Sequence, residues 1–268
     1  MIRFILIGAA AAAALLAAAP ASAQDESLRD FCADRPGKGT PTCILDAGHV
    51  QLEVGLFDYS RQSDDGVRTE TWGYGDTWLR FGVSELTEVQ IGLTPYVSEE
   101  TRDGGFSDKV HGTSDLTLGV RHSLASPDGS GVSIALAGFI TAPTGSDAVS
   151  DHKMSGGVVL PIALPLNEDW GLSLSPEIDR VPDADGDGAH AAYAIVAGIG
   201  RGFGPWALGA EIWVAHDDDP MGGVTQSTFD LTAVWTPPFL ADAQLDFGLN
   251  FGLNNDSPDV EFGVGVAR

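Results

Sequence analysis

The chain has 268 residues, of which 43% are hydrophobic and 34 are glycine. It carries 38 acidic but only 14 basic residues, so its formal net charge at pH 7 is −24. This balance argues against a nucleic-acid partner, because phosphate binding needs clustered Lys and Arg. The length fits one all-β domain.

The first 23 residues have the layout of a secretory signal peptide. Arg3 precedes an apolar run over residues 4–19, and Ala21-Ser22-Ala23 has the small-x-small form of a cleavage site. The run is shorter than the ~20 residues that a helix needs to span a bilayer. We therefore expect residues 1–23 to be removed and the mature chain, which starts at Gln24, to be exported.

Residues 24–47 form an N-terminal extension that contains a stretch rich in Pro and Gly. Both cysteines of the chain, Cys32 and Cys43, lie in it. In an exported protein a close pair of cysteines is more often a disulfide than a metal site. A thioredoxin-like redox pair would need a Cys-x-x-Cys spacing, which the sequence lacks. We expect a Cys32–Cys43 disulfide that staples a short N-terminal periplasmic extension.

Residues 48–268 alternate between apolar and polar side chains with the period of two that is typical of β-strands. The clearest segment places five apolar residues on one face: Leu245, Phe247, Leu249, Phe251 and Leu253. Twelve segments of this kind occur along the chain. Their polar faces carry small and charged residues, which suits the lumen of a membrane barrel better than the outside of a β-sandwich. We predict an all-β fold, a single antiparallel transmembrane β-barrel of about 12 strands.

The connections alternate in length. Short turns alternate with longer, acidic connections, which cover residues 60–68, 98–112, 142–153, 179–189, 216–226 and 254–259. Outer-membrane barrels have short periplasmic turns and long external loops, so both termini should lie in the periplasm. Aromatic residues near the short turns predict an inner girdle of Trp170, Trp206, Trp235 and Phe239, and those near the long loops an outer girdle of Tyr59, Tyr96 and Tyr193.

Several blocks of the sequence carry a resemblance to a known family. They include Asp34-Arg35-Pro36-Gly37-Lys38-Gly39-Thr40-Pro41-Thr42-Cys43, Thr141-Ala142-Pro143-Thr144-Gly145 and Asn254-Asn255-Asp256-Ser257-Pro258-Asp259-Val260-Glu261. The chain resembles, over nearly its whole mature length, transporter-family outer-membrane proteins of the group named for the MetA pathway of phenol degradation. The resemblance implies a barrel in the bacterial outer membrane with a transport role and an undefined substrate.

One feature departs from that family. Barrels of this type usually end in an aromatic residue, which the outer-membrane assembly machinery recognises, whereas this chain ends in Ala267-Arg268 and its nearest aromatic residue is Phe262. The expected partners are outer-membrane lipid, the assembly machinery and a small-molecule solute.

The predicted lumen face carries ten charged residues: Glu53, Asp76, Arg80, Asp115, Arg121, Glu177, Glu211, Asp230, Asp246 and Glu261. Only Arg80 and Arg121 among them are cations. Two interpretations remain open. The charges could form a salt-bridge network that fills the barrel, or they could line a polar path that prefers cations, because rings of carboxylates select cations.

An acidic stretch in one long connection resembles the start of a calcium loop. Asp183, Asp185 and Asp187 alternate with other residues and Gly188 sits at the sixth place, but the twelfth place is Ala194 instead of Glu. These three aspartates are a weak metal candidate, and the alternative is a solvated acidic loop. We expect no cofactor.

The leading functional hypothesis is a channel or transporter-like barrel for small molecules that is not an enzyme. The sequence has no Gly-x-Ser-x-Gly elbow. Two alternatives stay open. A lipid-acting enzyme would need a Ser/His pair within hydrogen-bond reach at the lipid-facing wall. A plugged structural or adhesive barrel would need the N-terminal residues 24–45 inside the lumen.

Overall fold

The computed structural model describes residues 28–186, 188–240 and 243–268. The signal peptide predicted for residues 1–23 therefore lies outside the described residues. No helix that is long and apolar enough to cross a membrane occurs among the described ones. The strands are β1 Val50–Asp64, β2 Val67–Tyr74, β3 Asp76–Ser84, β4 Thr87–Leu93, β5 Tyr96–Asp103, β6 Phe106–Gly112, β7 Leu116–Ala125, β8 Ser133–Ala142, β9 Ser155–Val159, β10 Ile162–Pro165, β11 Trp170–Pro182, β12 Ala189–Phe203, β13 Trp206–Asp217, β14 Val224–Trp235, β15 Gln244–Gly252 and β16 Val260–Ala267.

The strands form one closed antiparallel barrel. Each strand pairs with antiparallel neighbours along the wall, and β16 pairs with β1 in a register that joins Glu53 to Ala267 and Arg61 to Val260. The sixteen elements occupy twelve wall positions, because β2–β3, β4–β5, β6–β7 and β9–β10 are each one interrupted position. Closure satisfies the strand edges that an open sheet would expose. The predicted twelve-strand barrel is confirmed.

The interruptions occur where the backbone cannot continue a regular ladder. Gly75 separates β2 from β3 with a φ of 74°, in the left-handed region that favours glycine. Pro95 lies between β4 and β5, and Pro161 lies between β9 and β10. Proline has no N–H to donate, so a break at these positions is expected.

Two of the predicted long loops are wrong. Residues 60–68 and 98–112 form hairpins instead, because β1 continues to Asp64 before β2 begins at Val67, and β5 continues to Asp103 before β6 begins at Phe106. Both faces of these strand ends are polar, so the alternation that marks a membrane-facing strand is lost there. The hairpins extend one side of the barrel past the apolar band.

The two faces of the wall are reversed relative to a soluble protein. The predicted apolar residues lie outside; Leu79, Phe81 and Val89 are each more than 40% exposed. The largest fully buried side chains are charged and include Arg80, Arg121, Glu53 and Glu88. A wall with an apolar outside and a charged inside matches a barrel whose outer surface faces lipid.

Aromatic contacts mark both rims of the outer surface. At the end with the short turns, Trp235 stacks on Trp206 with ring centroids 5.8 Å apart and contacts Phe239 at 6.0 Å. At the opposite end, Tyr59 packs on Trp72 at 4.4 Å, and the rings of Tyr74 and Tyr96 are 6.0 Å apart. These positions agree with two interfacial girdles.

The N-terminal segment, residues 28–47, runs through the inside of the barrel. Its backbone N–H groups bond to inward-facing side chains on well-separated strands: Asp34 to Glu53 on β1, Thr40 to Ser175 on β11, and Leu45 to Glu88 on β4. The prediction of a periplasmic extension is therefore wrong. A segment without strand periodicity gives no sign of its location, and here the lumen offers acceptors for its N–H groups.

Candidate functional site

The first wall of the lumen is the sector formed by β1, β3, β4 and β7. Arg80 on β3 makes a two-point hydrogen bond to Glu88 on β4, with Nε–Oε1 and Nη2–Oε2 distances of 2.9 and 3.0 Å. The same guanidinium lies 3.1 Å from Glu53 on β1. All three side chains are fully buried. Fork-shaped pairing of this kind is the strongest type of side-chain hydrogen bond.

Asp34 of the N-terminal segment completes this cluster. Its carboxylate accepts two hydrogen bonds from Arg121 on β7, at 2.5 and 3.0 Å, and lies 3.1 Å from Arg80. Burial alone would raise the pKa of the Asp34 carboxyl, but the charges of Arg121 and Arg80 outweigh it and hold the pKa below its usual range. The segment thus contributes a carboxylate that pairs with both arginines of the first wall.

The disulfide joins Cys32 and Cys43 across a Cα–Cα distance of 6.5 Å, as predicted. The backbone carbonyls of its two cysteines accept hydrogen bonds from Arg80 and Arg121, the arginines that also pair with Asp34. The carbonyl of Cys32 accepts from Arg80 at 2.7 Å, and that of Cys43 from Arg121 at 3.4 Å. The disulfide therefore closes the chain into a loop that is docked on both cations of the first wall.

Arg35 is a cation that the predicted lumen set lacked. It lies within 3.5 Å of carboxylates on three strands, contributed by Asp58, Asp76 and Asp246. Glycines on the neighbouring wall make room for it. A Cβ at Gly265 would come within 2.5 Å of the Arg35 side chain, so a larger residue there would displace it.

The second wall is the sector formed by β13, β14, β15 and β16, and it carries carboxylates without a cation in its inward row. Register pairs Glu211 with Asp230, Asp230 with Asn250, and Asn250 with Glu261, which gives one continuous row. Lys38 of the N-terminal segment crosses this row. Its backbone N–H donates to Glu211 at 2.9 Å and its ammonium to Glu261 at 2.6 Å.

The remaining predicted lumen residues also face inward but away from the N-terminal segment. Asp115 accepts from the Gly145 N–H at 2.7 Å and from the Ser150 hydroxyl at 2.9 Å, so it anchors the loop between β8 and β9. Glu177 lies on β11 between strands β9 and β12, beside Asp179. Neither contributes to the two walls described above.

A cavity of about 340 Å³ lies above the N-terminal segment, toward the end with the long loops. Arg35 and Pro36 line one side of it, and the wall contributes Asp58, Asp76 and Glu261. The charged groups in its mixed polar and apolar lining are three carboxylates and one arginine, Arg35.

The predicted calcium-like loop forms a different arrangement. Asp183 lies 2.8 Å from His190, and these two residues and Asp219 hold oxygen and nitrogen atoms within 4.8 Å of one another. Backbone N–H groups of Met221 and Ala184 lower the pKa of the Asp219 carboxyl. Asp185 is not part of this group, and Asp187 lies outside the described residues.

Sequence reasoning missed Asp34, Arg35 and Lys38. One signal could have found them. The predicted lumen had only Arg80 and Arg121 as cations against many carboxylates, while the N-terminal segment held further basic residues with no assigned partner. Buried charges must pair, so the missing cations had to come from elsewhere in the chain.

A twelve-strand antiparallel barrel with an apolar outside and a charged, occupied lumen belongs to the outer-membrane class of channel and porin-like folds. The family model described as "Putative MetA-pathway of phenol degradation" matches residues 33–267, and the chain belongs to this family. The match includes the N-terminal segment from residue 33 onward.

Solved structures share the fold at low sequence identity. An outer membrane channel from Pseudomonas putida F1 has a TM-score of 0.61 and 16% identity over 87% of this chain and 98% of that chain. The translocator domain of the autotransporter NalP from Neisseria meningitidis has a TM-score of 0.51 and 13% identity over 87% and 89%. The NanC porin has a TM-score of 0.50 and 8% identity over 81% and 98%. A search of curated proteins returned no match.

Proposed function

We infer that this protein is an outer-membrane channel for small molecules whose lumen is narrowed by its own N-terminal segment. The observation that carries this proposal is that the segment is held in the lumen by polar contacts. Polar contacts attach it to both walls through Asp34, Arg35 and Lys38. Leaving the lumen would uncover charged groups that water can solvate, which costs far less than uncovering an apolar core.

The polarity of the path supports a preference for cations. The second wall contributes Glu211, Asp230 and Glu261, and the cavity above the segment adds Asp58 and Asp76. The neutralising charges on this side come from the N-terminal segment alone, as Arg35 and Lys38. When the segment moves, the exposed surface is strongly negative, and such surfaces select cations.

Planar-bilayer recordings test the proposal. Arg35→Gln combined with Lys38→Gln should raise the conductance and the preference for K⁺ over Cl⁻, because the segment loses its ion pairs with Asp58, Asp76, Asp246 and Glu261. Lys109→Gln is the control, since Lys109 is an exposed cation on the β6 hairpin. Absence of any conductance in the wild type and in both variants would overturn the channel.

A plugged structural barrel is the second candidate, and the first wall favours it. Arg80 and Arg121 bind the segment through fully buried groups, which resist displacement. Reduction of Cys32–Cys43 distinguishes the two. A channel should change its conductance when the loop loosens, whereas a permanent plug should remain closed before and after reduction.

We propose no enzymatic activity. A lipid-acting enzyme would need a serine close to a histidine on the outer wall. The hydroxyls that bond to histidine rings on the described strands belong to threonines, Thr87 with His122 and Thr225 with His216. Incubation of the purified protein with a radiolabelled phospholipid should therefore release no fatty acid.

A further inference from the structure

The second wall has the chemistry of a site for an alkylammonium group. We propose that β13–β16 form a binding site for small primary amines, which Lys38 of the protein occupies in this structure. The inference rests on the proposed channel, because the amine must reach the lumen. It names the class of solute for that path.

The contacts of Lys38 define the site. The Lys38 ammonium lies 2.6 Å from Glu261, whose carboxylate also accepts from the Asn250 amide at 3.2 Å. The same ammonium lies 4.4 Å from the centroid of the Trp213 ring. A carboxylate and an aromatic face together hold an ammonium by charge and by the cation–π interaction.

Trp213 is an exception among the tryptophans of these strands. Trp206 and Trp235 lie at the rim on the outer surface, where they stack on each other. Trp213 instead faces inward, because its register partners Val196 and Thr228 are buried inside the barrel. An aromatic ring in a polar lumen is unfavourable unless a group packs against its face. Here that group is the Lys38 ammonium.

Asp230 is an independent sign that the site accepts more than Lys38. It is fully buried, and its carboxylate oxygens make no hydrogen bond of normal geometry; the polar group beside them is the Thr228 hydroxyl on the same strand. One hydroxyl can satisfy only a small part of a carboxylate, so the buried Asp230 keeps acceptor capacity for a ligand. Register places Asp230 between Glu211 and Asn250, within the row that Lys38 crosses.

The charge of the row specifies the ligand. Glu211, Asp230 and Glu261 offer three carboxylates, and the Lys38 ammonium donates to one of them, Glu261. A solute that displaces Lys38 would meet all three carboxylates. A linear diamine matches this arrangement, with one ammonium at Asp230 and the other in the position of the Lys38 ammonium between Glu261 and Trp213. Lys38 and the solute therefore compete for one place.

Equilibrium binding tests the site without any need for transport. Cadaverine is titrated into the purified full-length protein by calorimetry, with 1,5-pentanediol as the uncharged control of similar length. Lys38→Met should bind cadaverine about tenfold or more tightly than the wild type, because a tethered competitor acts at millimolar effective concentration. Asp230→Asn in the Lys38→Met background should lose most of this gain.

Further variants separate the site from unspecific attraction to an acidic protein. Trp213→Leu in the Lys38→Met background should weaken binding about tenfold through the lost cation–π contact. Lys109→Met, which removes an equal charge outside the lumen, should bind as the wild type does. Equal affinity in Lys38→Met and the wild type, or equal gains in Lys38→Met and Lys109→Met, would overturn the site.

Liposome swelling distinguishes failure of the site from failure of the channel. If pentanediol enters and the Lys38→Met protein does not bind cadaverine, the channel stands and the amine site is wrong. If cadaverine binds in the predicted order of variants and neither solute enters, the site stands and the channel is wrong.

Discussion

The two walls of the lumen neutralise their buried carboxylates in different ways. The first wall carries its own cations, Arg80 and Arg121, and receives one carboxylate from the N-terminal segment. The second wall carries carboxylates and receives its cations, Lys38 and Arg35, from the segment; Arg35 also pairs with Asp58 and Asp76 of the first wall. The difference lies in the wall residues: Arg80 and Arg121 are 1% exposed, whereas Glu261 is 26% exposed. The segment's own residues are similar, with 29% of Asp34 and 23% of Lys38 exposed.

This difference assigns separate roles to the walls. A buried, multiply bonded pair is costly to break from one side, because the remaining charge has no partner. A partly hydrated pair loses little, because water replaces the contact. The segment is therefore anchored on the first wall and releasable from the second.

Removing Arg80 should have the largest effect. Arg80→Met leaves Glu53 and Glu88 buried without their shared cation, at a cost of about 3–5 kcal/mol in the free energy of unfolding. Urea unfolding of the detergent-solubilised protein measures it. Arg102→Met is the matched control on the exposed hairpin. If Arg80→Met changed the free energy of unfolding no more than the control does, the first wall would not be the anchor.

Loss of the disulfide should come next. Cys32→Ser with Cys43→Ser frees the docked loop, and a loop of this size contributes about 2–4 kcal/mol through the entropy of the detached chain. The effect should fall on docking of the segment and leave the barrel intact. In the variant, a protease should cleave within residues 28–47 while the unheated protein still runs as the folded band on a gel. Loss of the folded band would contradict this prediction.

Acid should release the segment from the first wall. The pKa of Asp34 is lowered in the folded protein, so its contribution is present above its usual pKa and is lost as the pH falls through the lowered value. The difference in unfolding free energy between the wild type and Asp34→Asn should be constant near neutral pH and shrink below about pH 4. A difference that persists unchanged at pH 2 would count against this coupling.

Breaking the second wall should cost much less. Glu261→Gln removes the ion pair with Lys38, and a partly solvated pair contributes about 1 kcal/mol or less. The same variant should nevertheless raise channel conductance more than Arg102→Met does. A loss of stability as large as that of Arg80→Met would mean that both walls anchor the segment.

The smallest effect is expected on the outer hairpins. Arg102 pairs with Glu100 at 2.8 Å and with Glu70 at 3.6 Å, but half of its side chain is exposed, 49%. Arg102→Gln should change the unfolding free energy by less than about 0.5 kcal/mol. Urea unfolding beside Arg80→Met gives the comparison directly.

The wall of this protein can be predicted from the alternation in its sequence. Alternation is a local property, so Leu245 to Leu253 or Leu79 and Phe81 show their lipid-facing side without any knowledge of their neighbours. The break between β9 and β10 at Pro161 is equally local, because proline has no N–H to donate to the ladder. The prediction failed where alternation ended, as in the hairpin around residues 98–112, because both faces there are polar.

The residues that fill the lumen could not be identified before the fold was known. The Lys38–Glu261 pair spans 223 residues of sequence and the Arg35–Asp246 pair spans 211. No period links such residues, since their contact depends on closure of the barrel and on the path of an irregular segment. Charge balance was visible in the sequence, which had too few lumen cations; the location of the missing ones was a property of the folded chain.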